Sequence, residues 1–90
     1  MGDKILRDAV RMYGAPAQLD QFIEELAELI VAINHLRRGR ADIEHVLQEM
    51  VDVDIMMKQM KIILNVKDDY FRLIKDRKIK ELGERISEKK

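Results

Sequence analysis

Apolar residues recur along the chain at intervals of three and four, and no stretch alternates with a period of two for long enough to build a strand. This pattern predicts an all-α protein of four helices. The first spans about Asp3, a candidate N-cap, to Tyr13, with Ile5, Leu6, Ala9, Val10 and Tyr13 on one stripe and Gly14 placed to end it. Pro16 suits the first turn of a second helix that reads through to about Arg38 and stops at Gly39. Asp42 can cap a third, which continues to about Leu64, where Asn65 tolerates the closing geometry. Asp68 or Asp69 can open a fourth, from about Tyr70 to Ser87, although Gly83 within it costs about 1 kcal/mol relative to Ala. The loops at 39–42 and 65–68 are short enough to make successive helices antiparallel neighbours. Residues 1–90 are therefore expected to form a single domain, a small antiparallel four-helix bundle.

At about 100° per residue, Leu19, Phe22, Ile23, Leu26, Leu29, Ile30 and Ile33 cover one broad face of the second helix, which this reading assigns to the core. In the third helix Val46, Met50, Val53, Met57, Met60 and Leu64 form one apolar face, and Val51, Ile55 and Ile62 form a second. Asp54, Lys58 and Lys61 mark its solvent stripe, since an acid four residues before a lysine is an ordinary exposed pair. Met50, Met56, Met57 and Met60 are read as adaptable core.

Composition narrows the picture. A domain of 90 residues buries only about 60–65 % of its unfolded surface, so partner chains are expected. Hydrophobic residues make up 47 % and charged residues 38 %, with four Gly and one Pro, which describes a folded helical chain. Seventeen basic and seventeen acidic residues balance to zero, so no global field favours nucleic acid, and an anionic ligand must be held by local charge or a bound cation. Cysteine is absent, which excludes disulfides, thiolate metal sites and thiol nucleophiles and fits a reducing compartment. No run approaches the ~20 apolar residues of a membrane span, and "MGDKILRDAVRMYG" has neither an h-region nor a cleavage pattern. The expectation is a cytoplasmic protein with no membrane partner.

One feature breaks the apolar pattern. The run "FIEELAELIVAI" carries Glu24, Glu25 and Glu28, yet no Lys or Arg stands between Arg11 and Arg37 to neutralise them at i,i+3 or i,i+4. Glu25 and Glu28 lie roughly 60° apart on the helix, and so do Glu49 and Asp52 on the third helix, beside Met56 and Ile63. If the two helices run antiparallel, four carboxylates share one small volume. Unpaired, they would repel and take up protons; a divalent cation removes the difficulty, and an all-carboxylate set suits Mg²⁺ or Mn²⁺. Plain exposure, or an intersubunit salt bridge, is the ordinary alternative for any such acid. His45, Glu49 and Asp52 also share a face that could ligate a transition metal. A di-iron bundle is disfavoured, because neither His35 nor His45 stands three residues after a glutamate.

Glu24-Glu25-Leu26-Ala27-Glu28, followed after 20 residues by Glu49-Met50-Val51-Asp52, resembles the EExxE…ExxD signature of the MazG-like, all-α nucleoside triphosphate pyrophosphohydrolases, which include the dimeric dUTPases. The likeness covers roughly Tyr13 to Met60, and "YGAPAQLDQFIEELAEL", "RRG" and "KIKELGERI" also resemble short bacterial and phage members. The resemblance implies that Glu25, Glu28, Glu49 and Asp52 hold Mg²⁺, with Mn²⁺ as a substitute. It further implies hydrolysis of an NTP or dNTP to the monophosphate and pyrophosphate, in keeping with clearance of surplus or non-standard nucleotides. Glu24 then becomes the candidate to position the attacking water or accept its proton. Family practice also draws triphosphate ligands from the last helix and adjoining chains, which points to Lys75, Lys78 and Arg85, although "KDRKIKELGERISEKK" would solubilise an exposed helix regardless. Arg37, Arg38 and Arg40 serve equally as stabilisers of the carboxyl end of the second helix. The resemblance also implies an aromatic near the N-terminus that stacks on the base, which this chain either lacks or supplies through Tyr13, Phe22 being assigned to the core.

The expectation is thus an Mg²⁺-dependent nucleoside triphosphate pyrophosphohydrolase, assembled as a homodimer or homotetramer. The alternative is a non-catalytic helical interaction or assembly module that retains the family fold.

Overall fold

A computed structural model describes residues 2–40 and 42–89. Its described residues form four helices and no strand: α1 Asp3–Tyr13, α2 Ala15–Arg37, α3 Ile43–Ile63 and α4 Asp68–Lys89. Gly14 alone separates α1 from α2, with φ 86 and ψ 153, and its backbone N–H donates to Val10 O at 2.9 Å, closing the last turn of α1. The Asp42 carboxylate accepts from Glu44 N at 3.1 Å, as an N-cap should, and Asn65 takes the left-handed turn after α3 with φ 55. Two boundaries differ from expectation. Asp3 lies inside α1, and the capping position belongs to Gly2. Helix α4 starts at Asp68 and continues to Lys89, absorbing Gly83 without a break because good helix formers surround it.

Helix α2 packs along α3, and α1 packs against both; α4 has no closely packed helix neighbour and meets α3 through Lys61, which reaches Asp68 and the Phe71 ring. The compact part of the chain is therefore three helices, with the fourth projecting, and the whole measures 50 × 37 × 24 Å. Its radius of gyration of 16.2 Å exceeds the ~12 Å expected of a compact domain of this length.

The α2–α3 seam does not use the faces that hydropathy alone selects. Two series run through the buried and half-buried positions: Gln18, Phe22, Glu25, Leu29 and Ala32 on α2, beside Ala15 and Leu19, and Val46, Glu49, Val53, Met56, Met60 and Ile63 on α3, beside Gln59, Lys61 and Ile62. Both sets alternate in steps of three and four, the spacing that keeps one stripe against a neighbouring helix. Four of the seven residues assigned to the core of α2, Ile23, Leu26, Ile30 and Ile33, are exposed, as are Met50 and Met57 of α3 and Leu64 at its C-cap. Among the described residues only Ala32, Val46 and Met56 are buried apolar residues, while Gln18 and Gln59 are buried polar ones. The seam runs about 100° away from the most apolar stripe of α2, so the packed face is the one that carries Glu25, while Glu24 and Glu28 are exposed.

Truncating Met56, one of the few buried apolar side chains, is expected to lower the unfolding free energy by about 2–4 kcal/mol. Asp42→Ala should lower it by about 1 kcal/mol through loss of the cap. Urea unfolding of both variants checks these values.

Candidate functional site

The heptad spacing of the seam carries acids into it. Glu25 sits between Phe22 and Leu29 on the packed stripe of α2, and Glu49 sits between Val46 and Val53 on that of α3. Asp52 lies one turn beyond Glu49 at the exposed margin. One carboxylate oxygen from each of Glu25, Glu49 and Asp52 lies within 4.8 Å of the other two.

The hydrogen bonding of this trio is incomplete. Glu25 Oε1 accepts from Gln21 Nε2 at 2.8 Å, one turn earlier on α2. Glu25 Oε2 is shut off from solvent and has no donor. The Glu49 side chain is only 12 % exposed; its Oε1 stands 3.9 Å from His45 Nε2, and its Oε2 is buried without a partner. A buried carboxylate oxygen that accepts nothing costs free energy in proportion to its negative charge. The Glu25 carboxyl responds accordingly: its pKa is raised above the ordinary 4.5, chiefly by burial, with the Gln21 hydrogen bond opposing and the charges of Glu28 and Asp52 adding to the rise. Nearness to Asp52 within hydrogen-bonding range further favours the protonated form.

Of the four acids expected to share the site, three converge. Glu28 is exposed and close enough to influence Glu25, but its oxygens are not among those that meet. Glu24 is exposed on α2 next to Glu25. His45 stands beside Glu49 yet does not join the converging group. Lys75 and Lys78 lie with Lys58 and Lys61 along a groove between α3 and α4. On α3 those lysines point roughly 180° from the bisector of Glu49 and Asp52, so this groove is on the other side of the helix from the acids. Arg85 is exposed and lines neither that groove nor the adjoining cavity. Within one chain, then, Lys75 and Lys78 do not meet the carboxylates.

Two residues escaped the sequence reading. Gln21 holds Glu25 in place, and Gln59, 5 % exposed with Oε1 unpartnered, extends the polar line of α3 seven residues beyond Asp52. The signal available was the recurrence of polar residues at a spacing of seven, Gln18 to Glu25 and Asp52 to Gln59, inside otherwise apolar helices.

Carboxylates arranged in this way offer hard oxygen donors to a divalent cation such as Mg²⁺ or Mn²⁺. The two orphaned oxygens fit that role, since each lacks the donor that would otherwise neutralise it. In comparison with known proteins, no family model matches the chain, and no curated protein and no solved structure matches it significantly.

The raised pKa of Glu25 fixes the sign of a pH effect. The folded chain binds this proton more tightly than the unfolded chain, so without divalent cations the Glu25 contribution favours folding below about pH 4.5 and is lost as pH rises through the raised value. In EDTA, Glu25→Gln should therefore gain stability relative to the native chain as pH rises from 4 to 7. Urea midpoints at several pH values measure the gap; a gap that does not change with pH contradicts the assignment.

Proposed function

We propose that Glu25, Glu49 and Asp52, with Glu28 alongside, hold a divalent cation, Mg²⁺ or Mn²⁺, and that the chain hydrolyses a nucleoside triphosphate to the monophosphate and pyrophosphate. The observation that carries this reading is the pair of buried, unpartnered oxygens on Glu25 and Glu49, converging with Asp52 from two different helices. When bound, the cation supplies neutralisation of phosphate charge and a lowered pKa for an attacking water. Gln21 orients Glu25 through its hydrogen bond, so that Oε2 is the oxygen left for the ligand. Glu24, exposed on the next position of α2, accepts the proton of the attacking water. No covalent nucleophile is needed, in keeping with the absence of cysteine.

The same reading includes assembly, with the helices in an antiparallel bundle completed by a second copy. The chain exposes 7691 Å², against about 5,500 Å² for a compact monomer of its mass, and much of the excess lies on apolar stripes. Ile23, Ile30 and Ile33 on α2 and Leu73, Ile79, Leu82 and Ile86 on the free α4 all face outward. Covering these stripes with another chain also offers a way to bring Lys75, Lys78 and Arg85 of one copy to the acids of another, where they would bind the triphosphate. A second reading, a non-catalytic assembly module, draws on the same exposed stripes and on the unpacked α4.

Pyrophosphate release from a panel of NTPs and dNTPs with Mg²⁺ separates the two: turnover is expected for at least one substrate, and silence across the panel with intact helicity favours the assembly module. Glu49→Gln should reduce that turnover by roughly 100-fold or more while circular dichroism stays unchanged. Normal activity in this variant would exclude the trio from the chemistry. Sedimentation equilibrium should give twice or four times the 10.6 kDa chain mass, and a monomer at micromolar concentration would remove the assembly from the account.

A further inference from the structure

A cavity of about 640 Å³ opens between α1, the end of α3 and the start of α4, away from the carboxylate trio. Six cationic side chains line it: Arg7 from α1, Lys58 and Lys61 from α3, Lys67 from the connecting loop, and Arg72 and Lys75 from α4. Only Asp3 and Asp68 oppose them, so a chain of zero net charge concentrates an excess of four positive charges around one cavity.

Acidic partners absorb only part of this charge. Lys61 pairs with Asp68 at 3.4 Å, and Lys58 with Asp54 at 3.8 Å. Arg7, Lys67, Arg72 and Lys75 make no ion pair among the described residues. The remaining lining is apolar, contributed by Leu6, Ile62, Val66 and Phe71, and Lys61 Nζ lies 4.3 Å from the centre of the Phe71 ring. Like charges drawn from three helices and a loop around one space repel one another, and an anion of matching charge relieves that repulsion. Two of the cations are arginines, whose planar fork suits phosphate oxygens, and the volume lies within the range of small-molecule sites, about 300–1,000 Å³.

We propose that this cavity is a ligand site of its own, one that takes a small organic phosphate with its phosphoryl groups against the six cations and its uncharged part on the apolar floor. The site stands apart from the acids. The bisector of Lys58 and Lys61 points roughly 180° from that of Glu49 and Asp52 around α3. Binding there needs no divalent cation, and it does not rest on the hydrolytic reading. It adds to the Lys61 contacts with Asp68 and Phe71 a link from α4 to α1 and α3 through the ligand.

The test is calorimetric titration of the full chain in EDTA with inorganic pyrophosphate, a nucleoside triphosphate and the matching unphosphorylated nucleoside. Both phosphate compounds should bind, the triphosphate more tightly, and the nucleoside should not. A stronger response to pyrophosphate than to the triphosphate identifies a purely inorganic anion as the ligand and overturns the organic part of the proposal. The double variant Arg7→Ser/Arg72→Ser should weaken triphosphate binding by about tenfold or more. Lys80→Ser, on the exposed part of α4 outside the cavity, and Glu49→Gln should each leave it within about twofold. Amide shifts in the ¹⁵N spectrum should include Ile62 and Val66. Absence of binding in EDTA overturns the proposal, and so does equal weakening by Lys80→Ser, which would mark diffuse surface attraction. Shifts confined to residues near Glu25 and Glu49 also overturn it, even if Mg²⁺-dependent turnover is present.

Discussion

Two carboxylate oxygens, Glu25 Oε2 and Glu49 Oε2, are enclosed where two helices meet and receive no hydrogen bond. Everything else about the seam follows from tolerating them. An ionised oxygen in that position can be neutralised by a proton, by a basic side chain or by a cation. The raised pKa of Glu25 shows the first remedy beginning to operate. The second is missing among the described residues, where no Lys or Arg pairs with either acid and the base beside Glu49 is the His45 imidazole at 3.9 Å. The third is the remedy proposed here. On that proposal, an electrostatic liability becomes the means of binding a polyanionic substrate.

The seam places these acids at the expense of a conventional core. With Gln18, Glu25, Glu49 and Gln59 on the packed stripes, the apolar side chains of α2 and α3 turn aside into exposed positions. The intrachain core shrinks to Ala32, Val46 and Met56 with their half-buried neighbours. Such a core stabilises a small domain only weakly, because entropy losses on folding scale with every residue ordered. On the proposed reading, the polar seam and the exposed stripes are two sides of one arrangement: the helix pair supplies the site, and a further copy supplies the missing burial. The free α4, apolar along Ile79, Leu82 and Ile86, is the natural element to provide it.

The helices themselves were legible because local rules govern them. Gly14, Gly39, Asp42 and Asn65 punctuate the chain where backbone geometry demands a glycine, a cap or a left-handed residue, and the structure uses all four in that way. Glu25, Glu49 and Asp52 were legible from their spacing and their lack of local counter-ions. The packed stripe was not. Hydropathy identifies which face of a helix avoids water, but it cannot say whether that face meets the same chain, and here the most apolar stripe of α2 does not. Glu28 was grouped with the trio on helical angle and on the EExxE resemblance, and one turn of α2 carries it outward past the point where the oxygens meet. The cationic cavity could not be read in advance, because it joins Arg7 to Arg72 and Lys75 across three elements whose mutual placement no local pattern encodes.

The central claim concerns occupancy of the carboxylate trio, and Mn²⁺ makes it directly observable. Electron paramagnetic resonance of the free Mn²⁺ signal, titrated with the chain in the absence of nucleotide, counts tightly held ions. Saturable binding that is abolished by Asp52→Asn and competed by Mg²⁺ is the predicted result. A free-ion signal undiminished by millimolar protein, or binding equally strong in Asp52→Asn, would mean that the buried oxygens are neutralised by protons alone.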